Sequence, residues 1–257
     1  HGIRGQAQAN MVETEDEVDP HLKIPIYSLY SSKTRTPTEE QLAKIGCLLI
    51  DLQDVGTRVY TFVTTMGFCL EAAARYKKKV VVLDRPNPIN AVKVEGSILK
   101  ESMRSFVGYH PMPMRHGMTM GELARFFNTE RRIGAELEVI PMQGYQREYL
   151  FADTHLPWIP PSPNMPTPAT ALVYPGQVLL EGTNLSEGRG TPEPFECFGA
   201  PFIDAPLLKG KLENKRLPGV RFLEISFTPE FDKWQGELCY GLEIQVTDPR
   251  AYKPYYT

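Results

Sequence analysis

The first half of the chain alternates between two hydrophobic patterns. Short apolar runs are typical of buried β-strands, and four of them lie at residues 25–30, 46–50, 80–83 and 138–141. Between the second and third runs, apolar residues recur every three or four positions, which predicts an amphipathic helix over residues 60–76. Its predicted apolar face consists of Phe62, Val63, Met66, Leu70 and Ala73.

Two further helix starts are marked by capping residues. In the run TPTE, Thr36 is the predicted N-cap, Pro37 the first helical residue and Glu39 the capping-box partner. Thr119 is the predicted N-cap of a later helix, with Glu122 as its capping-box partner. Both helices fall between predicted strands.

This alternation of strands and helices predicts an α/β fold, a Rossmann-like three-layer domain with a mostly parallel sheet. The near-continuous apolar run at 46–50 is expected where helices cover both faces of a strand. We place this domain at residues 1–204 and the start of a smaller α+β domain, apparently truncated, at 205–257. Since the chain begins at His1 and stops in an aromatic run, we expect it to be a fragment of a longer protein.

Polar side chains follow two of the predicted strands, at the point where each strand ends. In open parallel sheets, ligands bind at the carboxyl ends of the strands. We therefore expect one polar rim for substrate binding, formed by Asp51, Asp54, Arg58, Arg85 and Asn87. The alternative is structural: the aspartates cap turns, and the two arginines are their ion-pair partners.

The segment from Leu179 to Glu196, LLEGTNLSEGRGTPEPFE, is the most polar and glycine-rich loop of the chain. Glycines let the backbone turn sharply or approach a ligand closely. Carboxylates, an amide and an arginine on one loop suit a substrate with many hydroxyl groups. The expected exposed groups are Glu181, Thr183, Asn184, Glu187, Arg189 and Glu196. The alternative is an ordinary polar surface loop.

Composition narrows the functional classes. A net charge of −3 with mixed signs provides no basic surface for nucleic acid, and no apolar run is long enough to span a membrane. The chain has no GxGxxG, HExxH or GxSxG motif, so neither a nucleotide cofactor, a catalytic metal nor a serine nucleophile is expected. Cys47 and Cys69 lie in apolar runs typical of buried thiols, and the absence of a CxxC pair argues against a thiol-based zinc site.

Eight motifs occur in one order along the chain and together resemble a known family. They are HGIRG, LIDLQDVGTRVYTF, LDRPNPIN, VEG at 94–96, MRHGMTMGELA, PSPNMP, YPGQVLLEGTNLSEGRGTPEPFE and FGAP. The sequence is similar to the exo-β-N-acetylmuramidase family of the NamZ type. The resemblance implies a cleft between a Rossmann-like domain and a smaller one, and removal of terminal N-acetylmuramic acid from peptidoglycan fragments in cell-wall turnover. It further implies an extracytoplasmic location.

Glycoside hydrolysis needs two carboxyl groups, and Glu95 and Glu181 are the leading candidates. Each lies in a family-like motif and is followed by glycine, while Glu187, Glu193 and Glu196 compete for the second role. Arginines suit the lactyl carboxylate of muramic acid, histidines the sugar hydroxyls, and asparagines the acetamido group. These candidate substrate-binding residues are Arg4, Arg58, Arg189, His1, His116, Asn164 and Asn184.

The main alternative to an enzyme is a non-catalytic peptidoglycan- or glycan-binding module on the same fold. Such a module would keep the arginines, asparagines and aromatics but would tolerate the loss of either candidate glutamate. Fold alone does not separate the two functions. The expected partner is in both cases a muramoglycan fragment or the MurNAc–GlcNAc disaccharide.

Overall fold

The structure is a computed structural model that describes residues 13–31 and 34–257. The chain folds as two compact units, which divide after Leu156. The first unit contains strands β1 (Glu17–Val18), β2 (Pro25–Ile26), β3 (Cys47–Ile50), β4 (Lys79–Leu83) and β5 (Leu137–Ile140), with helices α1 (Glu39–Ala43), α2 (Thr61–Arg75) and α3 (Met120–Glu130). The second contains α4 (Pro168–Gln177), β6 (Cys197–Ala200), α5 (Ala205–Glu213), β7 (Val220–Phe227) and β8 (Cys239–Val246).

A parallel sheet organises the first unit. Its strand order is β3-β4-β5, with Ile50 opposite Val82 and Val82 opposite Val139. Because both pairs are parallel, the carboxyl ends of these strands meet at one edge of the sheet. The predicted α/β class is confirmed, and the strand predicted at 25–30 is reduced to the two residues of β2.

Helices α2 and α3 pack on this sheet and on each other. Val63, Met66, Leu70 and Ala73 are buried on α2 as predicted, while Phe62 is half-buried. Thr119 caps α3 through the predicted box with Glu122. The prediction for α1 is wrong by two residues: Thr38 is the N-cap, and its box partner is Gln41. Pro37 therefore precedes the cap, where it restricts Thr36 rather than starting the helix.

The expectation that helices cover both faces of β3 is not met. Ile50 is buried, but Leu49 on the opposite face is 59% exposed. The same face of the sheet carries the exposed ion pair between Lys79 and Glu138. Cys47 is likewise exposed, contrary to the prediction, because it points to this uncovered face, whereas Cys69 on α2 is buried. A continuous apolar run therefore does not prove burial on both sides.

The second unit is built on an antiparallel sheet of order β6-β8-β7, on which α5 packs against β7 and β8. The proline-rich segment after Leu156 and helix α4 belong to this unit, because α4 contacts the 3-10 helices Val178–Gly182 and Pro254–Tyr256. The division between the two units, after Leu156, thus precedes the domain boundary expected after residue 204. In the part of the chain that the structure describes, no helix is long and apolar enough to cross a membrane.

Candidate active site

The polar rim at the carboxyl ends of β3 and β4 is held by side-chain pairs. Arg85 binds Asp51 with both nitrogens, Nε to Oδ1 at 2.6 Å and Nη2 to Oδ2 at 2.9 Å. Asp84 accepts hydrogen bonds from the Gly121 amide and the Thr119 hydroxyl, at 2.7 and 3.0 Å. Asp51 and Arg85 are therefore brought together at the predicted edge, as an exposed ion pair.

Glu95 forms a buried ion pair with Arg115. Arg115 Nη1 lies 2.6 Å from Glu95 Oε1, and the two side chains are 0% and 7% exposed. The backbones of the same residues exchange hydrogen bonds in both directions, and Arg115 Nη2 donates to the Ile89 carbonyl. Burial lowers the pKa of Arg115, and the charge of Glu95 opposes that shift. The Glu95 carboxylate is thus fixed in position by side chain and main chain together.

Asp54 and His116 form a second buried pair beside it. The Met118 amide donates to His116 Nδ1 at 3.2 Å, so the proton of the neutral ring lies on Nε2. Nε2 then donates to Asp54 Oδ2 at 3.1 Å, and that oxygen also accepts from the Gly56 amide at 2.7 Å. The 54–58 loop is in this way tied to the strand-like segment 114–116.

Arg58 and Asn87 brace the same region through backbone carbonyls. Arg58 Nη1 donates to the carbonyls of Ser97 and Met112, and Asn87 Nδ2 donates to the Met118 carbonyl at 3.0 Å. Both residues are buried. Of the predicted rim, Asp51 and Arg85 are therefore at the surface, whereas Asp54, Arg58 and Asn87 are buried and bind Ser97 and the segment 112–118.

In the second unit, three charged side chains of the loop at 179–196 and Lys233 form a chain of ion pairs. Arg189 Nη2 lies 2.6 Å from Glu181 Oε1, and Arg189 Nε lies 3.1 Å from Glu187 Oε1. The other oxygen of Glu187 lies 3.0 Å from Lys233 Nζ. The two carboxylates and two cations of this chain balance in charge. The Arg189 guanidinium also lies over the Phe195 ring, 4.8 Å from its centroid. Glu181 is the more accessible carboxylate, since its side chain is 33% exposed.

The prediction that this whole loop is exposed is wrong for part of it. Glu187 and Arg189 are 2% and 7% exposed, because their charges are paired within the loop and with Lys233. Thr183 and Asn184 are exposed, as expected, and Asn164 is buried at 7% exposure. The glycines permit this arrangement: Gly188 and Gly190 have φ angles of +79° and +77°.

The competing glutamates have different surroundings. Glu196 Oε1 accepts from the hydroxyls of Thr170 and Thr167, at 2.5 and 3.2 Å, which ties it to the start of α4. Partial burial raises the pKa of Glu193, and the negative charges of Glu243 and Glu196 add to the shift. Glu193 is thus the carboxyl group of this loop whose environment favours the protonated form.

Sequence reasoning missed two cations. Arg115 was not among the predicted site residues, although the fold places it opposite Glu95. Lys233 lies outside the motifs, so no local signal marked it. His1 and Arg4 lie outside the described residues. Within the described part of the chain, no group of three or more His, Cys, Asp or Glu side chains could hold a metal ion.

Two family models together match nearly the whole chain. The model for the N-terminal part of the exo-beta-N-acetylmuramidase NamZ matches residues 1–169, and the model for its C-terminal part matches residues 172–257. The chain belongs to the NamZ family. The boundary between the two family models, at residues 169–172, lies in the first turns of α4.

Individual relatives agree with this assignment. The chain is 50% identical over all 257 residues to the peptidoglycan beta-N-acetylmuramidase NamZ of Bacillus subtilis (strain 168), of which it spans 62%. Two crystal structures of DUF1343 family proteins from Bacteroides fragilis NCTC 9343 are similar to it, with 36% and 33% identity and TM-scores of 0.88 and 0.76. Each match covers 93% of this chain and 62% or 64% of the other.

One prediction concerns the glycines that shape the loop that carries Glu181. A Cβ at Gly190 would lie 2.7 Å from the Phe231 backbone nitrogen, at a φ of +77°. We expect Gly190→Ala to cost about 1–3 kcal/mol of stability, because side chains are strained at this φ. The measurement is the urea concentration at the midpoint of unfolding. Gly182→Ala is the control, since nothing lies within 4 Å of its Cβ; equal losses in both variants would contradict the prediction.

Proposed function

We propose that this chain hydrolyses the bond that links a terminal, non-reducing N-acetylmuramic acid to the rest of a peptidoglycan fragment. The observation that carries the proposal is the 50% identity, across all 257 residues, to a protein named as a peptidoglycan beta-N-acetylmuramidase. Muramoglycan fragments and the MurNAc–GlcNAc disaccharide are the proposed substrates. The reaction belongs to cell-wall turnover, and we propose that it takes place outside the cytoplasm.

The chemistry requires one carboxyl group that protonates the leaving oxygen and a second that activates water or attacks the sugar. Glu95 and Glu181 are the proposed pair, and each is supported by its geometry. A single arginine lies 2.6 Å from each carboxylate, Arg115 from Glu95 and Arg189 from Glu181. Such pairs restrict the carboxylate rotamers, which is the pre-organisation that a catalytic group needs.

The substrate differs from N-acetylglucosamine by a lactyl ether that carries a negative charge. A site that pairs this carboxylate with an arginine should reject the uncharged sugar, because the arginine would then be left without its partner. Arg4 is the proposed candidate for this contact, because Arg189 is already paired with Glu181 and Glu187, and the buried Arg58 donates to backbone carbonyls. Asn164 and Asn184 are the proposed contributors to hydroxyl and acetamido recognition, whereas the buried His116 uses both ring nitrogens within the protein.

The test compares two chromogenic substrates, the β-glycosides of N-acetylmuramic acid and of N-acetylglucosamine. We expect the protein to release the chromophore from the muramoside and to leave the glucosaminide largely intact. Hydrolysis of the MurNAc–GlcNAc disaccharide into its two sugars confirms the exo-lytic direction. Binding of the disaccharide without hydrolysis of either substrate would instead favour the glycan-binding module and overturn the enzymatic proposal.

A further inference from the structure

An aromatic pair lies at the surface of the second unit, beside the loop that carries Glu181. The rings of Phe202 and Trp234 meet edge to face, with centroids 5.9 Å apart and an interplanar angle of 73°. Phe202 is 57% exposed, and Trp234 is half-buried. Contiguous exposed apolar groups, unlike singly exposed ones, can mark a ligand-binding site.

The segment that carries Trp234 is fastened to the Glu181 loop at several points. The Trp234 indole donates to the Asn184 carbonyl at 2.7 Å. Lys233 Nζ donates to the Leu180 and Leu185 carbonyls at 2.8 and 2.9 Å, and Leu180 directly precedes Glu181. The Glu230 amide donates to the Gly190 carbonyl at 2.9 Å. Trp234 is therefore held against the loop that carries the candidate catalytic Glu181.

The backbone of this segment is also unusual. Asp232 and Trp234 have φ angles of +72° and +61°, a region that non-glycine residues seldom occupy. Conformations of this kind cost free energy and persist where the surrounding contacts hold them. Here the contacts of Lys233 and Trp234 with the Glu181 loop fix the turn and set the orientation of the indole.

From this geometry we infer that Phe202 and Trp234 form a saccharide-stacking subsite for the leaving-group sugar, the uncharged N-acetylglucosamine. A pyranose ring has an apolar face of C–H groups, which packs on an aromatic ring, and polar edges, which the exposed Asn184 side chain suits. The inference rests on the proposed function. It extends that function by naming residues that bind the sugar on the far side of the scissile bond.

The charge around the indole selects the uncharged sugar. Glu230, Asp232 and Glu237 are exposed carboxylates within four positions of Trp234. The neighbouring cation, Lys233, is already paired with Glu187. Because like charges repel, this surface disfavours the lactyl carboxylate of N-acetylmuramic acid. The pair is therefore assigned to N-acetylglucosamine and not to the sugar that is released.

A binding measurement tests the inference without relying on catalysis. The chain has two tryptophans, so a ¹⁵N-labelled sample gives two indole N–H signals, and Trp234→Phe identifies the signal of Trp234. We expect free N-acetylglucosamine to shift that signal in a saturable way, and N-acetylmuramic acid at the same concentration to shift it less. No shift with N-acetylglucosamine, or an equal or larger shift with N-acetylmuramic acid, would overturn the assignment.

Kinetics then separate this inference from the proposed function. The disaccharide carries the second sugar, whereas N-acetylmuramosyl β-fluoride has a single atom as its leaving group. In Trp234→Ala and Phe202→Ala, we expect the ratio of kcat/KM for the disaccharide to kcat/KM for the fluoride to fall about tenfold. Tyr256→Ala removes an exposed aromatic side chain elsewhere in the unit and should keep the wild-type ratio.

Failure of the sugar subsite and failure of the enzymatic function give different experimental results. If the fluoride is hydrolysed and the ratio stays at the wild-type value in both aromatic variants, the subsite is wrong while the enzymatic function stands. If neither substrate is hydrolysed but the indole signal still responds to N-acetylglucosamine, the enzymatic function fails and the sugar subsite stands. The Phe202 variant also keeps the indole hydrogen bond to Asn184, so it tests stacking apart from loop anchoring.

Discussion

Replacing Arg115 with methionine is expected to lower the free energy of unfolding by about 3–5 kcal/mol. The variant leaves the Glu95 carboxylate buried, at 7% exposure, without the guanidinium that lies 2.6 Å away. It also removes the bond to the Ile89 carbonyl, which leaves that acceptor without its donor. Urea unfolding measures the loss as a shift of the midpoint of the first unit.

A surface pair in the same unit provides the control. Arg85 and Asp51 are also ion-paired at 2.6 Å, but their side chains are 41% and 42% exposed. Exposed pairs contribute about 0–1 kcal/mol, so Arg85→Met should shift the midpoint little. The double variant Glu95→Gln/Arg115→Met should recover much of the loss, because it removes both buried charges. Losses of the same size in Arg115→Met and Arg85→Met would contradict the assignment of a buried pair.

The structure shows why some of these features could be predicted from the sequence. The cap of α3 involves Thr119 and Glu122, three positions apart, so the whole interaction is local and its residue types are visible in order. The strands of the parallel sheet are short apolar runs, which are also local. At α1, two threonines stand two positions apart, and the capping box with Gln41 selects the second.

The site depends on contacts that are distant in sequence. Arg115 meets Glu95 across 20 positions, and Lys233 meets Glu187 across 46. Nothing in the local pattern distinguishes these two cations from the many other lysines and arginines of the chain. The buried state of Glu187 and Arg189 follows from the same pairing, which is why a loop rich in charge and glycine was taken to be exposed. The sequence predicted the candidate carboxylates, and the fold shows their ion-pair partners.

Changing the acid of the glycosidic reaction from glutamate to glutamine should lower the turnover of the disaccharide by about 10²–10⁴-fold. Glutamine preserves the shape of the side chain but has no proton to transfer. For the general acid, the loss should shrink on a nitrophenyl muramoside, because nitrophenolate departs without protonation. For the base or nucleophile, the loss should be similar on both substrates in the step that releases the first product.

Applied to Glu95→Gln and Glu181→Gln, this comparison assigns the two roles. Each variant must first be shown to be folded, because Glu95→Gln leaves Arg115 without a charged partner inside the protein. Glu138→Gln is the matched control, since Glu138 lies on the exposed face of the sheet and pairs only with Lys79 among the described residues. Near-normal disaccharide turnover in both test variants would exclude Glu95 and Glu181 as the acid. Glu193 would then be the first residue to replace, because its environment raises the pKa of a carboxyl group in the same loop.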